Sequence, residues 1–303
     1  MSTKVAVAGA TGNLGLRVVR ELARKEARVV CLIRAGTAEQ KLEDLRTTGV
    51  QVEVVENAED MAPKLDGVHC VVSTLQGLAD VIVETQSQIL KAAAQASVPR
   101  FFPSDFSTDF RQLPAGENRN FDLRREFHKT LERVPVRATS VFNGAFAEIL
   151  GYGSPLLNFK EKSVGYWEDA EWRIDFTTMD DAAAYTAAAA LDESTPPALH
   201  ISSFSVSPRQ IAVTAGKVLN TTFELKRMGS FEDLRRQNNR DRAAHPEGEN
   251  ELYASWQQGQ YLQSMFSSHH SELDNSRYPG LTWTTLEQTL TGILNKTPKG
   301  QSA

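Results

Sequence analysis

Lys4-Val-Ala-Val-Ala-Gly9-Ala-Thr11-Gly12-Asn13-Leu14-Gly15 is a short, continuous apolar run followed at once by three spaced glycines. The run reads as a β-strand buried on both faces, the kind found inside parallel sheets. From Asn13 to Lys25 the period becomes that of a helix, with Leu14, Val18, Val19 and Leu22 on one face. The glycines between them have separate tasks. Gly9 permits a tight turn, Gly12 lets the backbone approach a pyrophosphate, and Gly15 allows the helix to pack closely on the strand. A phosphate held there faces the positive end of the helix dipole. Thr11, Asn13 and Leu14 complete the cradle. A glycine pattern alone is weak, but this one stands between strand and helix, the context that dinucleotide binding requires.

The alternation continues along the first third of the chain. Strands are expected at 28–33, 50–55, 69–73 and 100–103, the last ended by Pro103, with a helix over 81–96. This is the pattern of an α/β fold, a Rossmann-type doubly wound parallel sheet with helices on both faces. The end of the second strand selects the dinucleotide. An acidic residue there would bind the ribose hydroxyls of NAD, whereas this chain has Arg34, with Lys41 seven residues on. Arg34 can grip a 2′-phosphate with its guanidinium fork and Lys41 can add a point charge, so NADP(H) is the expected cofactor. The alternative is two solvated cations at a strand end. Ser73-Thr74-Leu75-Gln76-Gly77 should form a second lip of the crevice, and Pro103-Ser104-Asp105-Phe106 a third. Ser104 can touch nicotinamide or substrate and Phe106 can wall the pocket; equally, Ser104-Asp105 can merely cap local backbone.

Beyond Ser104 the pattern changes. Residues 107–119 read as a loop, 121–133 as a charged amphipathic helix and 136–143 as a return to the sheet. Residues 144–173, rich in glycine and aromatics, suit a pocket-forming region. Tyr152, Tyr166, Trp167 and Trp172 either stack on an aromatic substrate or pack a core. Thr177-Thr-Met-Asp180-Asp181 should cap a helix running to Leu191 through carboxylate contact with its free amides. Residues 231–251 read as a solvated helix and loop, 253–266 and 283–294 as helices, and the tail after Lys296 as frayed. The expected division is a cofactor domain over 1–150, with about 175–205 returning to it, and a mainly substrate-binding domain over 151–303.

Composition narrows the class. At 303 residues the chain exceeds one small core, and 41% apolar with 23% charged content is ordinary for a folded protein. A net charge of −5 gives no basic field for nucleic acid or an anionic membrane. No stretch reads as a secretory leader or a membrane span, and the alanine-rich run 182–191 is too short for one. Cys31 and Cys70 lie in apolar runs and read as buried, reduced thiols, so the expected location is the cytoplasm. No Gly-x-Ser-x-Gly elbow is present. No metal is expected: His269-His270 are adjacent rather than four apart, and His200 and His245 lack partners at metal spacing.

Taken together, the glycine turn, Arg34 with Lys41, Ser73-Thr74 and especially Arg100-Phe-Phe-Pro-Ser-Asp-Phe106 resemble the NmrA-like and isoflavone reductase-like group of atypical short-chain dehydrogenases. Asn143-Gly-Ala-Phe146 and Thr177-Thr-Met-Asp-Asp-Ala182 also resemble stations of that family, and the likeness spans about residues 3–230. The resemblance implies a Rossmann domain binding NADP(H), a smaller substrate domain interleaved in sequence, and Asn143 among the cofactor-binding residues. In the enzyme branch it implies hydride transfer to a small aromatic molecule; another branch holds non-catalytic NADP(H)-responsive regulators with protein partners.

One departure bears on chemistry. The reductases of this family carry a proton-transferring lysine a few residues before an Arg-Arg pair, where this chain reads Asn120-Phe-Asp122-Leu-Arg124-Arg125, with Lys129 a turn or more later. No tyrosine is followed four residues on by lysine, which argues against an epimerase or dehydratase of the wider superfamily. The candidate proton donor is therefore His128, the side chain of that helix nearest neutral pKa. The alternative for it is an exposed bystander. Asp122 and Arg125 are further candidates, Arg125 as an oxyanion stabiliser or as half of an ion pair with Glu126 or Glu132. The leading expectation is an NADPH-dependent reductase of an aromatic or conjugated carbonyl compound. The competing one is a regulator whose contacts differ between its ligation states.

Overall fold

Strand β1 (Lys4–Ala8) is buried from Val5 onward, and α1 (Asn13–Arg24) returns over it with Val18, Val19 and Leu22 facing inward. Then come β2 (Arg28–Arg34), α2 (Glu39–Arg46), β3 (Gln51–Val55), α3 (Met61–Lys64), β4 (Cys70–Ser73), α4 (Gln86–Gln95), β5 (Arg100–Phe102), α5 (Arg119–Leu131) and β6 (Arg137–Ala138). The six strands form one parallel sheet in the order β3-β2-β1-β4-β5-β6. The order reverses between β1 and β4, so the crevice at the carboxyl ends of those strands is where a doubly wound sheet binds its ligand. The helix expected over 81–96 starts with a π-helical turn, Asp80–Thr85, before becoming regular. Such wide turns recur near functional sites.

The later elements are β7 (Ser140–Phe142), β8 (Ala145–Phe146), β9 (Ser163–Trp167), β10 (Ile174–Thr177), α6 (Met179–Leu191), β11 (Ala198–His200), β12 (Phe204–Val206), α7 (Pro208–Leu219), β13 (Glu224–Gly229), α8 (Phe231–Ala244), α9 (Gln257–Met265) and α10 (Leu286–Lys296). The expected strand over 136–143 is two short ones, β6 and β7. The expected loop over 107–119 holds a single 3-10 turn, Phe110–Gln112. Serine capping boxes start α7 and α8, Ser207 with Gln210 and Ser230 with Asp233. The cap of α6 differs from expectation. The Thr178 hydroxyl accepts the Asp181 amide, and the Glu148 carboxylate accepts that of Met179. Asp181 turns its carboxylate to the hydroxyls of Ser203 and Thr284 instead.

This computed structural model describes residues 2–296, so the tail after Lys296 lies outside the described residues. The chain divides into two units. One comprises Met1–Phe106, Arg119–Phe142 and Ala182–Leu199, the other Ser107–Asn118, Asn143–Asp181 and the chain from His200. In the first, Ile89, Leu90, Phe127 and Leu131 pack on Val71 and Phe101 of the sheet. Buried Arg100 satisfies the last carbonyls of α6, Ala189 at 2.8 Å and Ala190 at 2.9 Å, where a cation suits the helix dipole. In the second, Leu156, Trp167, Phe176, Ile211, Leu262 and Leu290 belong to a separate core. Among the described residues no helix is long and apolar enough to cross a membrane.

A Cβ on Gly15 would lie 2.2 Å from the Gly9 carbonyl oxygen and 2.7 Å from Thr74 Oγ1. Gly15→Ala is therefore expected to lower the unfolding free energy in urea by about 2 kcal/mol or more. Gly292→Ala, in open space on α10, should raise it by about 0.4–1 kcal/mol. Equal urea midpoints for G15A and the unsubstituted protein would contradict this account of the β1–α1 contact.

Candidate cofactor and active site

The glycine turn is built against the end of β4. The Gly12 amide donates to the Gly9 carbonyl at 2.9 Å, and Gly9 takes φ +79°. Thr74 bonds the Ala8 carbonyl through both its amide and its hydroxyl, each at 2.9 Å. Added methyl groups at Gly9 and Gly15 would collide with Thr74. Gly9, Gly15 and Thr74 thus come together at the strand-order reversal. No side chain caps α1, and its first turn holds no acid. Its leading amides, those of Asn13, Leu14 and Gly15, therefore suit an anion. Arg34 is exposed at the end of β2 and Lys41 is exposed on α2; neither forms an ion pair with a described residue. These features fit the phosphates of NADP(H).

The third lip is tied to the second. The Ser104 hydroxyl donates to the Leu75 carbonyl at 2.7 Å, and its amide donates to Gln86 Oε1 at 2.9 Å. Pro103, Ser104, Asp105 and Phe106 are all buried, while Gln76 is exposed between half-buried Leu75 and Gly77. Asp105 does more than cap backbone. Its fully buried carboxylate oxygen Oδ2 is 2.7 Å from His128 Nε2 and accepts the Ser140 hydroxyl at 2.7 Å. His128 is therefore oriented by a carboxylate, not an exposed bystander; its side chain is 20% exposed. One turn earlier on α5, Arg124 donates from Nε to the Ser104 carbonyl at 3.0 Å and from Nη1 to the Asn120 carbonyl at 2.8 Å. Among the described residues Arg124 makes no ion pair. Sequence reasoning passed over Arg124 and gave Asp105 only a capping role. Their signal was the four-residue spacing of Arg124 and His128, which puts both on one helix face.

The other candidates are placed differently. Asp122 and Arg125 pair with each other at 2.7 Å near the surface, so the suggested partners of Arg125, Glu126 and Glu132, are replaced by Asp122. Lys129 is exposed and paired with Glu126 at 2.5 Å. Asn143 lies in the second unit, fully buried, its amide bonded to the Ser107 carbonyl and its carbonyl to the Thr177 hydroxyl. Of the two readings open for the aromatic residues of 144–173, core packing holds for most. Tyr152 is exposed, Trp167 packs against Phe266 with centroids 5.4 Å apart, and Tyr166 and Trp172 lie on the second core. Cys31 and Cys70 are buried in β2 and β4, and burial pushes both thiols up to about 12. Among the described residues no group of three His, Cys, Asp or Glu side chains could hold a metal ion.

Asp109 anchors the polar part of the second unit. Burial opposes its ionisation, but bonds from Arg111 at 2.8 and 2.7 Å and from His200 at 2.9 Å outweigh that, holding the carboxyl well below the usual range.

The NmrA-like family model matches residues 1–288. The chain belongs to the NmrA-like family. The match runs beyond the stretch over which the resemblance was legible. Over 205 residues, 61% of this chain and 63% of the relative, it is 29% identical to pinoresinol reductase 1 of Arabidopsis thaliana. Over 165 residues, 51% of this chain and 52% of the relative, it is 28% identical to an isoflavone reductase-like protein of Olea europaea. The chain thus matches these curated relatives over about half to less than two thirds of their length. A solved structure of AtPrR2 with NADP+ and (+)-pinoresinol has a TM-score of 0.80 at 19% identity, covering 97% of this chain and 99% of that one. At that identity the likeness establishes the fold.

Asp105→Ala strands the buried Ser140 hydroxyl and the partly buried His128 ring nitrogen, and should lower stability by about 2–4 kcal/mol. Asp122→Ala, at a partly exposed pair, should cost less than about 1 kcal/mol. Thermal melts followed by circular dichroism compare the two, and equal shifts would refute the buried network. Asp109→Asn should cost about 1–3 kcal/mol near neutral pH. Because the native carboxyl titrates below the unfolded value of about 3.9, this difference is fully present above that pH and vanishes as pH falls through the native value. Melts of both proteins across the acid range would reveal a pH-independent gap if the ionised carboxylate were not responsible.

Proposed function

We propose that this protein is an NADPH-dependent reductase of a small aromatic or conjugated carbonyl compound, of the quinone or flavonoid-like kind. The observation that carries the reading is the uncapped glycine turn at the strand-order reversal, in a chain whose second strand ends on Arg34 without an ion-pair partner among the described residues. Gly9, Thr11, Gly12, Asn13, Leu14 and Gly15 would hold the pyrophosphate, and Arg34 with Lys41 the 2′-phosphate. Thr74, Leu75, Gln76, Pro103, Ser104 and Phe106 would line the crevice. The bound cofactor supplies the hydride.

The residues of α5 divide what remains. Arg124 stays charged at any accessible pH and cannot donate a proton, so its role is to stabilise negative charge growing on the substrate oxygen. His128, held by Asp105, supplies the proton. The same arrangement supports a second reading, an NADP(H)-responsive regulator without turnover. The cation bonded to Ser104 is an arginine, and Lys129 is committed to Glu126 at the surface.

Anaerobic titration with NADPH and NADP+, followed by turnover on quinones and enone-bearing phenolics, separates the two. Arg34→Ala should weaken NADPH about tenfold and leave NADH unchanged, as expected for one charge-assisted phosphate contact. His128→Ala should lower kcat about a hundredfold with NADPH affinity preserved. Tight binding without turnover across the panel would favour the regulator, and failure to bind either nucleotide would sink both readings.

A further inference from the structure

Two groups meet one oxygen beside the His128 ring. Asp105 Oδ2 lies 2.7 Å from His128 Nε2 and accepts the Ser140 hydroxyl, also at 2.7 Å. The Asp105 side chain is 0% exposed and Ser140 is 3% exposed, so the carboxylate is shielded from bulk water. Ser140 is not a surface hydroxyl free to turn elsewhere. It opens β7, and its amide donates to the Pro197 carbonyl at 2.9 Å. The Thr139 amide before it donates to the Phe101 carbonyl at 3.0 Å. These backbone bonds fix where the hydroxyl lies relative to the end of β5, and all three residues belong to the first unit.

An oxygen that accepts from both groups divides its negative charge between them. Facing His128 alone, a desolvated carboxylate would strongly favour the charged ring, since an adjacent opposite charge raises the proton affinity of a histidine. A ring that never lets its proton go is a poor acid catalyst, because the efficient one releases it near the working pH. The Ser140 hydroxyl opposes that pull. Its bond stabilises the carboxylate whether or not the ring is charged, and so leaves less of the negative charge to the imidazolium. The other charges near α5 are engaged or exposed. Arg124 is bonded to the Ser104 and Asn120 carbonyls, Asp122 to Arg125, and Lys129 to Glu126. Glu132 and Arg133, at the end of the helix, are exposed. The π-helical turn and α4 pack on α5, and their charged residues Asp80, Glu84 and Lys91 are exposed as well.

We propose that Ser140 is a positioning residue for His128: its hydroxyl holds Asp105 Oδ2 against Nε2 and, by sharing that oxygen, keeps the ring able to release its proton near neutral pH. As a contribution to reaction this rests on the reductase reading above, in which His128 supplies the proton. As a coupling between Ser140 and His128 it is read on the free protein, without cofactor or substrate.

The test is the titration of the His128 ring in the full chain, followed by NMR of 15N-labelled imidazoles and assigned with His128→Gln. Ser140→Ala removes a donor from Oδ2, which favours the imidazolium. The His128 midpoint should therefore rise by about 0.5–1 pH unit, while the other histidines keep theirs. Ser140→Cys, with a weaker donor, should raise it by less. On a substrate that turns over, the alkaline limb of kcat should move up by the same amount, because the acid form of His128 persists to higher pH. A His128 midpoint unmoved or lowered in S140A overturns the proposal, as does a common shift of all the histidines. If S140A does not fold, a raised midpoint in S140C supports it and an unmoved one overturns it. A raised midpoint without turnover on any substrate supports the coupling and defeats the reductase reading, whereas turnover with an unmoved midpoint defeats the coupling alone.

Discussion

The approach of α1 to the strands beneath it is the constraint on which the candidate cofactor site depends. Gly15 sits so close to Gly9 and Thr74 that a single methyl group would overlap backbone. That closeness sets the leading amides of α1 at the point where the strand order reverses. An anion there gains the helix dipole and several amide donors without competition from a capping side chain. Thr74 serves both sides of the contact: it continues the β1–β4 pairing through Ala8 and forms the surface against which the glycines must be bare.

From this point the site extends through hydrogen bonds rather than apolar packing. Ser104 joins β5 to the segment after β4, and Gln86 reaches it from the start of α4, just after the π-helical turn. Arg124 and His128 then fasten α5 to the same end of β5 through Ser104 and Asp105. Each member is fixed by another, so a ligand would meet groups already oriented. Such preorganisation matters more than the number of polar groups, because reorientation during reaction costs free energy.

Legibility followed the range of the interactions. The parallel sheet was readable because β1, β2 and β4 are continuous apolar runs, and the glycine turn because its context is local. The second unit was not. β8 has two residues, and β9, β10, β12 and β13 are strands only by virtue of pairing with distant segments. A local signal for α7 did exist in Ser207-Pro208-Arg-Gln210, a capping box with proline at the first helical position. His128 was legible as a titratable group, but its carboxylate lies 23 residues away, and the contact between Asp175 and His270 spans 95. No spacing rule reaches that far. The aromatic-rich stretch stayed open to two readings for a related reason: rings that suit a ligand also suit a core, and burial against Phe266 decided for Trp167.

The two histidine–carboxylate contacts show how geometry divides one pair of residue types into different tasks. At His128 the carboxylate accepts directly from the ring, and Asp105 also holds Ser140, so the ring's orientation is fixed at one nitrogen. At His270 the carboxylate takes the backbone amide instead and stands beyond bonding range of Nδ1. The first arrangement fixes the plane of the ring and turns its other nitrogen away from the carboxylate. The second holds the backbone and leaves both ring nitrogens without a hydrogen-bond partner among the described residues. The difference is about one ångström in the placement of an oxygen, and it decides whether a carboxylate fixes the ring itself or the backbone beside it.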